Sequence, residues 1–240
     1  MTHSLSSVAL AGSTGLVGSQ VLSTLLSLPS APTVHALTRR ELPHSFTSSS
    51  LQPILEKESA SWPQRLSSLS PPPTAYITAL GTTRAAAGSV AAQRSIDLDL
   101  NLSLAKAAKE SGVNTFVLLS SAGTSSKSYL AYSKMKGELE DAVKELGFAH
   151  CVIVRPGLLV GQREDTRVAE AVLRSLANGM GKLTGGWGKD FWAQDADVIA
   201  RAIVRAAEKC VDGQQAEGVW VVEQKDVVRL GRTEWDEGGK

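Results

Sequence analysis

No lysine, arginine, aspartate or glutamate precedes Arg39. An uncharged start of that length raises two readings, a secretory leader and a membrane span between Leu5 and Leu28. Both are set aside, because Gly12, Gly15, Gly18 and several serines interrupt the stretch and no cationic segment leads into it. An arginine-rich mitochondrial presequence is also lacking, and residues from Ser7 onward are expected to open a folded domain. Cysteine is scarce. Cys151 and Cys210 make neither a disulfide framework nor a metal-ligand spacing, and they read as reduced thiols suited to a cytosol-facing compartment. The four histidines are scattered, with His35 inside an apolar run. A net charge of +1 removes any electrostatic case for a nucleic-acid partner.

What is present is a chain of 240 residues, 42% of them hydrophobic, enough for one α/β domain. Apolar runs alternate with helical patterns, the signature of a parallel sheet with crossover helices. The runs at Ser7–Ala11, Thr33–Thr38, Ala75–Leu80, Thr115–Leu119, Cys151–Arg155 and Gly218–Glu223 predict strands, with an edge strand near Leu51–Leu55. Helices are expected over Gly15–Leu28, Ser95–Ser111, Tyr129–Leu146, Arg167–Asn178 and Ala196–Lys209. Residues 41–74, rich in Ser and Pro, read as a surface connection. The tail after Leu230 is polar and is expected to fray. The fold class is therefore a Rossmann-type, doubly wound, mostly parallel sheet in a single domain over 1–240, with a small substrate cap within about 157–195. In that cap the glycine-rich Gly185–Gly188 around Trp187, followed by Trp192, reads as an aromatic-anchored surface loop with a lid as the alternative.

The segment Gly12-Ser13-Thr14-Gly15-Leu16-Val17-Gly18 follows the first strand and opens the first helix, the context in which such glycines bind a dinucleotide. Gly12 permits a tight turn, Gly15 lets backbone approach a pyrophosphate, and Gly18 allows helix and strand to pack closely. The helix end then offers free N–H groups to phosphate. After the second strand stand Thr38, Arg39 and Arg40, where an NAD enzyme carries an acid for the ribose 2′-hydroxyl. Guanidinium groups bind a 2′-phosphate instead, so NADPH is the expected cofactor. Leu80, Gly81 and Thr82 end another strand on the same side, with Arg84 a weaker phosphate candidate.

Tyr132 and Lys136 stand four apart on a helix and share a face. A phenol ordinarily ionises at about 10, and a neighbouring ammonium favours the phenolate needed for acid–base work. Ser121, with Ser120 as the alternative, ends the preceding strand and would bond a substrate oxygen. Asp195, Asp197 and Arg201 read as helix-capping and solvated pairs.

Together these residues resemble the short-chain dehydrogenase/reductase superfamily. Leu80-Gly81-Thr82-Thr83-Arg84, Leu118-Leu119-Ser120-Ser121, Tyr132 to Lys136-Gly137-Glu138, and Arg155-Pro156-Gly157 look like its atypical branch, the Tat-interacting-protein oxidoreductase-like family and its fungal mitochondrial-proteome relatives. The resemblance implies NADPH binding, a catalytic Ser121/Tyr132/Lys136 set, and peripheral attachment to the cytosolic face of the mitochondrial outer membrane. Two departures stand out. Only ten residues separate Ser121 from Tyr132, and Asp97 occupies a place where extended members carry Asn. Both bear on turnover more than on cofactor binding.

Two functions follow from these readings: an NADPH-dependent oxidoreductase acting on a small carbonyl or alcohol, and an NADPH-binding regulatory or scaffold protein without turnover. A nucleotide-sugar epimerase is disfavoured by Arg39 and the small C-terminal region. Substrate and oligomeric state are not legible.

Overall fold

The computed structural model describes residues 5–160 and 193–237. Its strands are β1 (Ser7–Ala11), β2 (Thr33–Thr38), β3 (Leu51–Leu55), β4 (Ala75–Thr78), β5 (Thr115–Leu119), β6 (His150–Val154), β7 (Leu158–Val160), β8 (Ala193–Asp195) and β9 (Gly218–Val222). β7 and β8 pair with each other; the rest form one seven-stranded parallel sheet, ordered β3-β2-β1-β4-β5-β6-β9. The chain winds outward one way from β1 through β2 to β3, then crosses back to β4 and continues the other way. The order therefore reverses between β1 and β4, which pair from Val8 and Ala75 to Ala11 and Thr78.

The strands are apolar runs rather than alternations because helices cover both faces of a parallel sheet. Successive residues still point to opposite sides. Val8, Leu10, Ile77, Val117 and Val152 join one core, packed under α1 (Leu16–Leu26) and the helix Ala196–Val211. Ala9, Tyr76, Phe116, Leu118 and Ile153 join the other, beneath α2 (Trp62–Ser67), α5 (Asn101–Glu110) and α6 (Ala131–Glu145). On that side Phe116 lies 5.6 Å from the Tyr76 ring and 5.0 Å from Phe148. Each large apolar side chain fully buried in these layers contributes roughly 1.5–3 kcal/mol. Both cysteines lie inside, and burial raises Cys151 to about 11 and Cys210 to about 12, so both are thiols at neutral pH.

Three stretches differ from the sequence reading. The Ser/Pro-rich connection contains α2, started by Pro63 and anchored by buried Trp62 and Leu66. Pro is well suited to a first turn because no N–H is needed there. The helix expected from Ser95 begins earlier, as the short α3 (Arg84–Ala87) and α4 (Val90–Arg94), capped by Thr83 and Ser89. It then passes through a π-helical turn at Ser95–Leu100 before α5.

As far as Glu237 the tail, expected to fray, is helical and docked. After α7 (Ala196–Val211) and β9, α8 (Gln224–Val228) leads through a π turn at Arg229–Thr233 into α9 (Glu234–Glu237). Leu230 is fully buried, Trp235 lies against Arg205 at 5.1 Å, and Lys209 pairs with Glu234 at 3.1 Å. Asp195 precedes α7 without a side-chain capping bond, and Asp197 pairs with Arg201 at 3.4 Å. The expected helix Arg167–Asn178, the Gly185–Gly188 loop with Trp187, Trp192, and most of the expected cap lie outside the described residues.

Candidate functional site

The turn from β1 into α1 is dictated by two contacts. Gly12 has φ +86°, and a Cβ there would sit 2.6 Å from the Ala79 carbonyl carbon at the end of β4. A Cβ on Gly18 would meet the Gly12 oxygen at 2.0 Å. Gly15 differs, since its nearest obstacle is the Gly12 oxygen at 3.3 Å. The fold barely needs glycine there, whereas an approaching ligand would. Gly15 is the N-cap of α1 and brings no capping side chain, and the first turn holds no acid. Its N–H groups are thus left for an anion. Ser13 is buried, with its hydroxyl unpartnered.

Two clefts meet at this turn. The smaller, about 390 Å³, runs from Gly12, Thr14 and Gly15 past Trp62 to Thr38, Arg39 and Arg40. The larger, about 520 Å³, runs from Gly15, Leu16 and Val17 to Ser120, Tyr132 and Lys136. Gly15, Ala79, Leu80 and Gly81 border both, so they form one trough across the carboxyl ends of the strands, where the strand order reverses. Ligands of open α/β sheets bind at that place. At the arginine end, the Thr38 hydroxyl donates to the Arg40 carbonyl at 2.6 Å and turns the chain sharply. Among the described residues no acid pairs with Arg39 or Arg40, and both are exposed.

At the other end, Tyr132 is 46% exposed while Lys136 is buried, so one helix face presents a phenol at the mouth and an ammonium on the floor. Asp97 lies beside Lys136, supplied by the π turn. Its carboxylate accepts the Thr82 N–H at 2.6 Å, and Gln93 donates to the Thr82 carbonyl at 3.0 Å. Asn101 accepts from the Thr78 hydroxyl at 2.6 Å and donates to the Leu80 carbonyl at 3.2 Å. These four side chains lock the loop at Leu80–Thr82 into the trough wall. Burial pushes the Lys136 ammonium below its ordinary pKa, opposed by the charges of Asp97 and Glu140. Burial pushes Asp97 up, opposed by Lys136 and the Thr82 N–H.

Ser120 and Ser121 are placed differently: Ser120 lines the larger cleft, and Ser121 follows it on the other parity of the strand end. The alternation of β5 explains this, because Phe116, Leu118 and Ser120 fall on one side, facing α6. There the Ser120 hydroxyl donates to Glu140. Glu140 is itself buried, and also takes bonds from Thr124 and Arg155. Arg155 continues to Glu223 at 3.1 Å, tying the ends of β5, β6 and β9 to α6. Burial alone would raise the Glu140 carboxyl, but bonds from Arg155, Ser120 and Thr124 hold it below the usual carboxylate range.

Gln93, Asn101 and Glu140 escape the sequence reading, and Gly137 enters it only as part of the motif that carries the resemblance. Gly137 has a steric reason, since a Cβ there would stand 2.2 Å from the Ser125–Ser126 backbone; its absence lets the loop after β5 lie directly on α6. The polar three sit on helix faces otherwise apolar, the one available signal that they answer to something inside. Among the described residues no cluster suited to a metal ion occurs, and no helix is long and apolar enough to cross a membrane.

A parallel sheet in this order, with a glycine turn at its reversal point, defines a Rossmann-type chain of the short-chain dehydrogenase and epimerase shape. MoeE5, solved with UDP-glucose and NAD, superposes with a TM-score of 0.64 at 17% identity, over 95% of this chain and 81% of that one. A short-chain dehydrogenase family protein from Francisella tularensis superposes at 0.63 and 13% identity, over 92% and 98%. At such identities the likeness is one of fold. The family is fixed by sequence. The HIM1 family model matches residues 40–183, and "Protein fmp-52, mitochondrial" of Neurospora crassa is 46% identical over 240 residues, 98% of this chain and 99% of the relative. The chain belongs to the HIM1 family, with fungal relatives named as mitochondrial proteins.

Proposed function

We propose that this protein binds NADPH along the trough and acts as an oxidoreductase on a small carbonyl or alcohol. One observation carries the reading: a single trough joins a glycine turn at a bare helix N-terminus, two exposed arginines without acidic partners among the described residues at one end, and a Tyr–Lys pair at the other. The residues fit the cofactor. Gly12 to Gly18 would hold the diphosphate, Arg39 and Arg40 the 2′-phosphate, and Leu80, Gly81 and Thr82 the adenosine side. The nicotinamide ring would supply or accept the hydride. Tyr132 would exchange the proton on the substrate oxygen, and Lys136 would orient the ribose and favour the phenolate. MoeE5 was solved with NAD, which supports a nicotinamide dinucleotide without deciding the phosphate.

A second reading has its own observation. The Ser120 proton is directed to Glu140, away from any substrate carbonyl, and Ser121 lies outside the lining, so of the expected Ser/Tyr pair Tyr132 is the one left facing the cleft. This arrangement favours an NADPH-binding protein with weak turnover or none. NADPH consumption across a panel of carbonyls separates the two. Turnover lost in Tyr132→Phe with binding kept supports catalysis, whereas equal rates in both proteins remove Tyr132 from the mechanism. For location, the names of the relatives support mitochondria, and the resemblance to the Tat-interacting-protein family's fungal members supports peripheral attachment to the cytosolic face of the outer membrane. Protease and carbonate treatment of intact mitochondria tests it.

A further inference from the structure

The floor of the larger cleft holds two buried ionisable groups that face each other across the Leu80–Thr82 loop. Both Asp97 carboxylate oxygens and the Lys136 Nζ lie 3.7 Å from one point, the place a Cβ on Gly81 would take. Asp97 is 1% exposed and Lys136 4%. Oδ1 accepts the Thr82 N–H and the Gln93 amide lies close to the carboxylate, while Oδ2 is buried and closes no hydrogen bond among the described residues. No direct ion pair is closed between the two side chains. A buried carboxylate oxygen without a hydrogen bond is costly unless a charge answers it, and Lys136 is the cation beside it.

We propose that Asp97 is a positioning residue that holds Lys136 charged and in place on the cleft floor, so that the alkaline limit of nucleotide binding is set by this pair. The proposal rests on the nucleotide-binding reading above, and adds a residue to it. The π turn at Ser95–Leu100 is what brings Asp97 to this point while Asn101, one turn later, clamps the end of β4. A π turn inside a helix frequently marks a functional position. The ionisable surroundings of Lys136 are few. Asp97 faces it from the π turn; Glu140 lies one turn along α6, already held by Arg155; and Tyr132 lies one turn back. The loop at Gly81–Thr82 and the end of β5 contribute no ionisable group. Among the described residues, removing the Asp97 charge leaves Lys136 with Glu140, a carboxylate already paired with Arg155, and lowers the pH at which it loses its proton.

The test uses protein labelled with ¹³C at lysine, with the Lys136 Cε signal assigned through Lys136→Arg. In Asp97→Asn, which keeps an oxygen for the Thr82 N–H, the Lys136 titration is expected to fall by about one pH unit or more. Whatever its absolute value, NADPH affinity should begin its alkaline decline at a correspondingly lower pH than in the parent. Asp97→Glu, which keeps the charge, should retain the parent midpoint. Asp97→Ser, too small to overpack the site, carries the same expectation should Asp97→Asn fail to fold. An unchanged Lys136 midpoint in the folded variants overturns the proposal, as does an affinity loss equal at every pH. A shifted midpoint with no NADPH uptake by the parent would leave the Asp97–Lys136 coupling standing and bring down the cofactor reading instead.

Discussion

The Ser120 hydroxyl donates to Glu140 at 2.5 Å across the junction of β5 and α6, so the serine nearest the reaction centre is oriented by a buried carboxylate rather than by the cleft. Glu140 also receives Arg155, and the pair is a hub of the sheet's carboxyl edge. Removing the Glu140 charge weakens its bonds from Ser120, Thr124 and Arg155 together, although Arg155 keeps Glu223.

Glu140→Gln should therefore cost about 2 kcal/mol of unfolding free energy at pH 7, measured by urea denaturation. The pH dependence has a definite sign. The Glu140 pKa is depressed in the folded state, so its stabilisation is complete above the unfolded value of about 4.3 and is lost as pH falls through the folded value. The gap between parent and variant should shrink progressively as pH falls below the unfolded value and through the lower, folded one. A gap that stays constant into acid would show that the charge plays no part.

The glycines of the first turn should separate into two kinds. Gly12→Ala and Gly18→Ala drive a methyl into backbone, and each should lose about 3 kcal/mol or more. Gly15→Ala meets only one atom at 3.3 Å and should keep a melting temperature within a few degrees of the parent's while losing nucleotide affinity. Equal thermal losses at all three would show that Gly15 serves the fold alone.

Gly137→Ala should push the Ser125–Ser126 backbone off α6. The expected result is a destabilisation of about 2 kcal/mol or more, with altered amide exchange through the loop before Tyr132. A variant as stable as the parent would mean that the loop relaxes without cost.

Much of this architecture is legible because parallel strands covered on both faces read as unbroken apolar runs, and Gly12–Gly18 punctuates the first of them. α2 is hidden because its six residues lie in a Ser/Pro-rich segment, and only Trp62 and Leu66 declare its buried side. The choice between the two serines turns on the parity of β5, which can be counted from Phe116 but becomes decisive only once α6 is known to cover that side. Asp97 stands out in the sequence as a departure; its partner across the loop does not, because a π turn shifts the helix face and no apolar periodicity records the shift. The docked tail is missed because its anchors, Leu230 and Trp235, are isolated among charges that pair with α7 rather than with water.

The central claim is that the trough at the reversal of strand order takes up a pyridine nucleotide, with its extra phosphate against Arg39 and Arg40. Calorimetric titration of the parent and an Arg39→Ser/Arg40→Ser variant with NADPH and NADH tests it most directly. The account predicts tighter NADPH binding by the parent, a loss of about 10–100-fold in the variant, and an NADH affinity altered by less than about threefold. Failure of the parent to bind either nucleotide would contradict it.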